Sequence, residues 1–195
     1  TIEDVVAVAR HYAKVELDPD QVDAILQSRQ FVEDAIASGQ AIYGINTGFG
    51  KFANVPISGA QLDLLQKNLI FSDACGVGDP FDTEIVRAMM VLRLNSICKG
   101  YSGVLMATID CLINMLNAGV HPMVRSKGSV GSSGDLCPLA HMVLPMLGEG
   151  EAEFGGKIMS GREAMAEAGV PTITLKAKEG LALINGTQAI MGNAV

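Results

Sequence analysis

Two neighbouring segments of this 195-residue chain carry apolar residues on nearly every side, and they restrict the fold more than any other feature. Thr83 to Lys99 runs through Ile85, Val86, Met89, Met90, Val91, Leu92 and Leu94, and Gly100 ends it. Ser102 to Asn117 runs through Val104, Leu105, Ile109, Leu112, Ile113 and Leu116, and Gly119 follows. Both are too long for strands and read as helices closed by glycine. A helix that is apolar all round has to be buried. Other elements must therefore wrap these two, and they read as buried in a larger assembly. Ile85 to Cys98 is the best candidate for a membrane span, and Arg87 and Arg93 break it.

The rest of the chain supplies further helices. Thr1 to about Val15 reads as amphipathic, with Val5, Val8, Ala9 and Tyr12 on one face. Asp18-Pro19 is a helix start, a cap followed by proline at the first position. The apolar spacing then runs from Val22 through Ile36 to a stop at Gly39. Ala41 to Ile45 reads as a short extended piece. Ser58 is placed to cap a helix carrying Leu62, Leu65 and Leu69, and Asp73 to Pro80 reads as a break. Pro145 should kink the helix that starts near Asp135. Glu151 to Ile158, around Gly155-Gly156, reads as a hairpin. A short helix over Gly161 to Ala168, an extended Thr172 to Leu175 and a last helix from Glu179 complete the pattern. The class is mainly α with minor β, one unit over residues 1–195. The chain stops at Val195 inside what reads as a helix, so the unit reads as truncated at its C-terminus.

Charge and cysteine usage narrow the function. A net charge of −7, with no basic cluster, argues against nucleic-acid binding. No signal peptide is apparent at Thr1. Cys75, Cys98, Cys111 and Cys137 form no Cys-x-x-Cys pair and read as free thiols of a reducing cytoplasm. His11, His121 and His141 show no ligand spacing, so no metal site is expected. His11 reads as a helix-surface residue and His141 as a satisfied interior histidine.

The chemistry concentrates in Gly128-Ser129-Val130-Gly131-Ser132-Ser133-Gly134-Asp135-Leu136. A Gly/Ser run alone reads as a flexible linker. It is not a phosphate loop, since no Lys-Ser or Lys-Thr follows Gly134. It is not a nucleophile elbow, since Asp135 stands where a second glycine should. Ser132-Ser133-Gly134 does contain the parts of a backbone electrophile. Ser132 offers a carbonyl carbon, and Gly134 an amide nitrogen without a Cβ to block a sharp fold. Ser133 offers a β-hydroxyl that can leave as water. Ring closure with dehydration would give a five-membered imidazolone with an exocyclic methylene. Asp135, as N-cap, then starts a helix with Pro138 in its first turn, and that N-terminus would favour negative charge developing on the ring.

Gly128 to His141, followed by Gly148-Glu149-Gly150-Glu151, resembles the signature of the histidine/phenylalanine/tyrosine ammonia-lyase family. Those enzymes form a methylidene-imidazolone (MIO) autocatalytically from Ala-Ser-Gly. Here Ser132 stands where alanine is usual, and the family pattern makes Ser133 the serine that dehydrates. The text around Gly76-Val77-Gly78-Asp79-Pro80-Phe81 and Lys178 to Ile184 is most similar to bacterial histidine ammonia-lyases. The resemblance covers essentially the whole chain. It implies the N-terminal part of the ammonia-lyase fold, whose helical bundle continues in a missing C-terminal half. It implies an MIO made from Ser132, Ser133 and Gly134, no external cofactor, a small amino acid substrate, and a homotetramer when full length.

Three other stretches acquire roles from the resemblance. Tyr43-Gly44-Ile45-Asn46-Thr47-Gly48-Phe49-Gly50 fails the dinucleotide fingerprint and alone reads as a turn with a packed tyrosine. In the family this motif holds the catalytic tyrosine, so Tyr43 inherits the part of base, and Gly50 would let backbone approach the substrate. A tyrosine serves as base only where its surroundings favour the phenolate. Asn185, in Asn185-Gly186-Thr187, alone reads as a turn. In the family it is hydrogen-bonded at the active site, holding Tyr43, the ring or the substrate amine. Asp73 stands where histidine-type members have His, in the segment that contacts the substrate ring. It could accept an imidazole N–H, or it could only cap a turn. The implied reaction is elimination of ammonia from histidine to give urocanate, in histidine catabolism. Another aromatic amino acid ammonia-lyase of the same family, or an aminomutase using the same residues, remains open. The family takes further active-site groups from later in the chain and from neighbouring subunits, so this chain by itself is expected not to turn over.

Overall fold

The computed structural model describes residues 1–195 apart from 54, 56, 132 and 133. Nine α-helices and five short strands follow one another among the described residues. The order begins α1 (Ile2–His11), α2 (Val22–Ala37), α3 (Gly59–Asp73) and β1 (Val77–Pro80). It continues with α4 (Thr83–Ile97), α5 (Met106–Ala118), β2 (His121–Pro122), β3 (Arg125–Lys127) and α6 (Leu136–Val143). It closes with β4 (Glu151–Phe154), β5 (Lys157–Ser160), α7 (Gly161–Glu167), α8 (Glu179–Ile184) and α9 (Gln188–Ala194). The class is mainly α with minor β, as the sequence predicts. No described helix is long and apolar enough to cross a membrane.

The all-round apolar pattern of α4 has a direct explanation. α1, α5 and α9 pack around it, and Val86, Met89, Met90, Leu94 and Ile97 are almost completely buried. α5 adds Ile109, Leu112, Met115 and Leu116 to the same core. The cover that the pattern demands is thus provided within this chain. Arg87 is buried with them at 1% exposure. Its Nε and Nη2 donate to the Val8 carbonyl at 3.0 and 2.8 Å, and its Nη1 to the Leu116 carbonyl at 3.0 Å. Its guanidinium lies 4.0 Å from the centre of the Tyr12 ring. A buried guanidinium survives when its donors are satisfied in this way.

Several boundaries differ from the sequence reading. α1 stops at His11 because Tyr12 turns left-handed (φ 56°) and lies over Arg87. Asp18 caps as expected, accepting from the Asp20 amide, with Pro19 opening a 3₁₀ turn before α2. Ala41 to Ile45 is no strand. Asn46 folds back instead: its Oδ1 accepts from the Ile42 amide and its Nδ2 donates to the Gln40 carbonyl, both at 2.8 Å. These bonds replace a ladder partner, and Ile45 packs on Val32 and Ala35 of α2. The expected break after Asp73 contains β1, paired antiparallel with β3. α5 begins at Met106, later than Ser102, because Gly103 turns at φ 68° and its amide is held by Ser28. Pro145 does not kink a continuing helix; α6 ends at Val143 and a 3₁₀ turn takes over. The hairpin is present as β4–β5, with Gly155 and Gly156 at φ 57° and 77°. This left-handed pair matches the twist of the flanking strands. β2 adds to its other edge through His121 opposite Glu153. Thr172 to Leu175 has no strand partner among the described residues.

Candidate active site around Gly134 and Asn185

α8 is short, six residues, and buried side chains hold it at both ends. Glu179, fully buried at its start, accepts from the Leu105 amide (2.9 Å), the Thr108 hydroxyl (2.6 Å) and the Lys176 amide (2.8 Å). Gln66 of α3, also fully buried, accepts from the Gly180 amide at 2.9 Å. At the far end, Arg93 of α4 donates to the Asn185 carbonyl and to Oε1 of Gln188, both at 3.0 Å. The turn Asn185-Gly186 is therefore held by Arg93 at the end of a helix whose start is fixed from α3 and α5.

That turn meets Gly134. The Gly134 backbone has φ 117°, which L side chains rarely adopt. A Cβ there would stand 2.8 Å from both N and O of Gly186 and 3.3 Å from Oδ1 of Asn185. Only glycine fits so close an approach. The next residue fastens the contact. The Asp135 amide donates to the Gly186 carbonyl at 2.6 Å. Its fully buried carboxylate accepts from the Ser129 hydroxyl (2.8 Å) and from the Ile190 amide of α9 (2.9 Å). Asp135 occupies the N-cap position of α6 as expected, but its side chain makes no cap bond. It ties the near end of the Gly/Ser loop to α9 instead.

Ser132 and Ser133 lie outside the described residues. The described neighbour fits the group that the sequence pattern implies. A bare Cα wedged on a peptide, followed at once by a helix start, is the environment a sharply folded, ring-closing backbone needs.

The other predicted residues fall as follows. Tyr43 opens a turn rather than ending a strand, is 57% exposed, and meets the Phe49 ring edge-on at 6.2 Å. Among the described residues its hydroxyl makes no hydrogen bond, so Tyr43 and Asn185 are not joined. The turn nevertheless lies against α8, because a Cβ on Gly44 would stand 2.7 Å from Cδ2 of Leu181. Gly50 has φ 55° and open space where a side chain would be. Beside Phe49, an open apolar cavity of about 420 Å³ is lined by Val55, Ile57, Leu65, Asn68 and Leu69. Asp73 closes α3 and is half-buried, and burial raises its carboxyl pKa. It lies near Cys137 in the first turn of α6, whose thiol burial also pushes up. His141, half-buried, accepts from the Gly76 amide through Nε2 at 3.0 Å, so it is hydrogen-bonded as expected.

Sequence reading overlooked Arg93, Glu179 and Gln66, and it misjudged the work of the Asp135 side chain. One signal was available. An arginine inside an all-round apolar helix is costly unless something accepts from it, so Arg93 had to have buried partners.

Comparison with known proteins follows the same lines. The family model for aromatic amino acid lyases matches residues 1–195. A relative named histidine ammonia-lyase 2, from Fusobacterium nucleatum, is 76% identical over all of this chain, which covers 38% of that relative. Among solved structures, the phenylalanine aminomutase of Pantoea agglomerans superposes with a TM-score of 0.94 at 38% identity. The match covers 98% of this chain and 37% of that one. Histidine ammonia-lyase from Trypanosoma cruzi gives 0.91 at 40% identity, with the same coverage. The chain thus spans well under half the length of these proteins.

Proposed function

The chain belongs to the aromatic amino acid lyase family, and on that premise we propose that it carries the electrophile-forming part of a histidine ammonia-lyase. The observation that carries this reading is the wedge of Gly134 against the Asn185-Gly186 turn, closed by Asp135. Its ring-forming residues are Ser132, Ser133 and Gly134. An MIO there supplies a methylidene carbon that accepts the amine of an amino acid, with no external cofactor.

The remaining roles belong to ordinary side chains. Asn185, whose Oδ1 faces Gly134, holds the ring or the substrate amine; an amide both donates and accepts. Tyr43 takes the β-proton of the substrate at its phenolic oxygen. Its exposure and its place over α8 leave that oxygen open to a ligand. Gly50 lets backbone approach the substrate. The Asp73 carboxylate accepts the imidazole N–H, which supports histidine over a phenyl ring that would leave a half-buried charge unpaired. The product is urocanate with ammonia, made by a cytoplasmic homotetramer when full length. The likeness to an aminomutase supports a second reading, in which the same residues return the amine to the β-carbon. A β-amino acid product in place of urocanate identifies that case.

Intact mass tests the reading directly. A deficit of two water molecules, abolished by Ser133→Ala, is expected for the folded chain. A folded chain of unshifted mass overturns the claim that these residues close the ring here.

A further inference from the structure

The second arginine of α4 differs from the first. Arg87 is tied to the α1 and α5 backbones. Arg93 is 4% exposed, and both of its hydrogen bonds go to the segment that closes on Gly134: the Asn185 carbonyl and the Gln188 side chain. Its Nε finds no partner among the described residues, and none of the ion pairs described for the chain includes it. Burial lowers its pKa to about 10, which leaves it charged at neutral pH. Lys178, at the other end of α8, adds positive charge; burial, and then the field of Arg93, lowers its own pKa. A buried cation without a carboxylate is an expensive way to cap one carbonyl. A neutral side chain would do that at less cost.

The charge acts through a peptide bond. The Asn185 carbonyl and the Gly186 N–H belong to one amide. A cation on the oxygen polarises that amide and strengthens its N–H as a donor. The Gly186 nitrogen faces the bare side of Gly134, 2.8 Å from where a Cβ would stand. A Cβ on Gly186 would displace the ends of the Arg93 and Gln188 side chains, so the glycine lets both sit against the turn. Cation, carbonyl, amide and Gly134 are thus stacked in that order.

We propose that Arg93 is a positioning residue for the ring-forming segment: it holds the Asn185-Gly186 peptide across Gly134 and polarises its N–H toward that segment. This rests on the reading of Gly134 as the residue whose nitrogen closes the ring. In that step the Gly134 nitrogen bonds to the Ser132 carbonyl carbon, whose oxygen departs as water with the amide protons of Gly134 and Ser133, leaving a C=N bond to the Ser133 nitrogen. The Ser133 hydroxyl leaves with the α-proton as the second water. Electron density builds on the carbonyl oxygens of the segment as the ring closes, and a fixed positive field at Gly134 favours it.

The test compares the wild-type chain with Arg93→Lys, which keeps a cation, and Arg93→Met, which keeps the volume without charge. Each is made by timed cell-free synthesis and followed by intact mass, with urea unfolding as the control for folding. The Gly186 amide shift is read by NMR. Arg93→Lys should lose its two waters within about threefold of the wild-type rate. Arg93→Met should be slower by at least about tenfold, less than the roughly hundredfold or more lost with a directly placed donor, because Arg93 acts through a peptide. The Gly186 amide proton should move upfield in Arg93→Met and stay near its wild-type position in Arg93→Lys. Equal dehydration rates in the two variants, or a Gly186 signal unchanged in both, overturn the role of the charge. A folded wild-type chain that never loses water, with a Gly186 signal that responds to Arg93→Met, overturns the ring-forming reading instead.

Discussion

Replacing Asp135 separates a helix cap from a tertiary clamp. As a cap, its side chain would protect the first turn of α6, and Asn would serve as well as Asp. The structure assigns it other work: Oδ1 accepts from the Ser129 hydroxyl and Oδ2 from the Ile190 amide of α9. Hydrogen bonds to a charged group contribute about 1.5–3 kcal/mol each. Ser129 is exposed, so water can replace its lost partner and little of that bond counts. The Ile190 amide is part-buried and has no such substitute. Asp135→Ala should therefore cost about 2–3 kcal/mol, mostly at Ile190. Asp135→Asn can keep its Oδ1 on Ile190 and turn Nδ2 to Ser129, whose hydroxyl then accepts. It loses charge assistance alone and should cost about 1 kcal/mol. At about 2–4 °C per kcal/mol for a chain of this size, Asp135→Ala should melt roughly 4–12 °C lower and Asp135→Asn about 2–4 °C lower. Urea unfolding of the three proteins measures both steps. Amide exchange should show faster opening of Ile190 in Asp135→Ala, with the amides of α4 unchanged. Equal costs for the two variants, or a change at the first turn of α6 and none at Ile190, would refute the clamp.

Gly134→Ala should destabilise the chain by about 1–3 kcal/mol through its φ of 117° and its contact with Gly186, and intact mass should show no loss of water. Stability should fall on mild acidification. Burial holds His121 and His141 below their ordinary pKa, so the unfolded chain binds more protons than the folded one below about pH 6.5. Their contribution is complete above that value and is lost as the pH drops through the folded pKa values. A urea midpoint that stays level from pH 7 to 5 would contradict this. Purified by itself, the chain should release no ammonia from histidine in a coupled assay; saturable urocanate formation would contradict that.

The helix inventory was legible because it rests on local physics. Apolar spacing, Asp18-Pro19 and Gly119 act within a few residues, and Gly155-Gly156 sets its own turn. The proposed ring-forming motif could be read from the sequence for a similar reason, since such chemistry needs particular residues in adjacent positions. Boundaries failed where a side chain took a partner that spacing does not reveal. Tyr12 leaves α1 to cover Arg87, and Asn46 bonds back to Gln40 and Ile42 in place of a strand.

By itself, then, the sequence determined most of the helices, the glycine hairpin and the residue types that the proposed electrophile would need. Tertiary structure alone decided what surrounds them. Asn185 lies about fifty residues from Gly134, and Arg93 about ninety from Asn185. No periodicity links such positions, because their contact is created by packing α4, α6, α8 and α9 together. The side chains that hold the turn are polar and buried, so each is stable only with its partner in place. Such a requirement is met in three dimensions and leaves almost no trace along the chain.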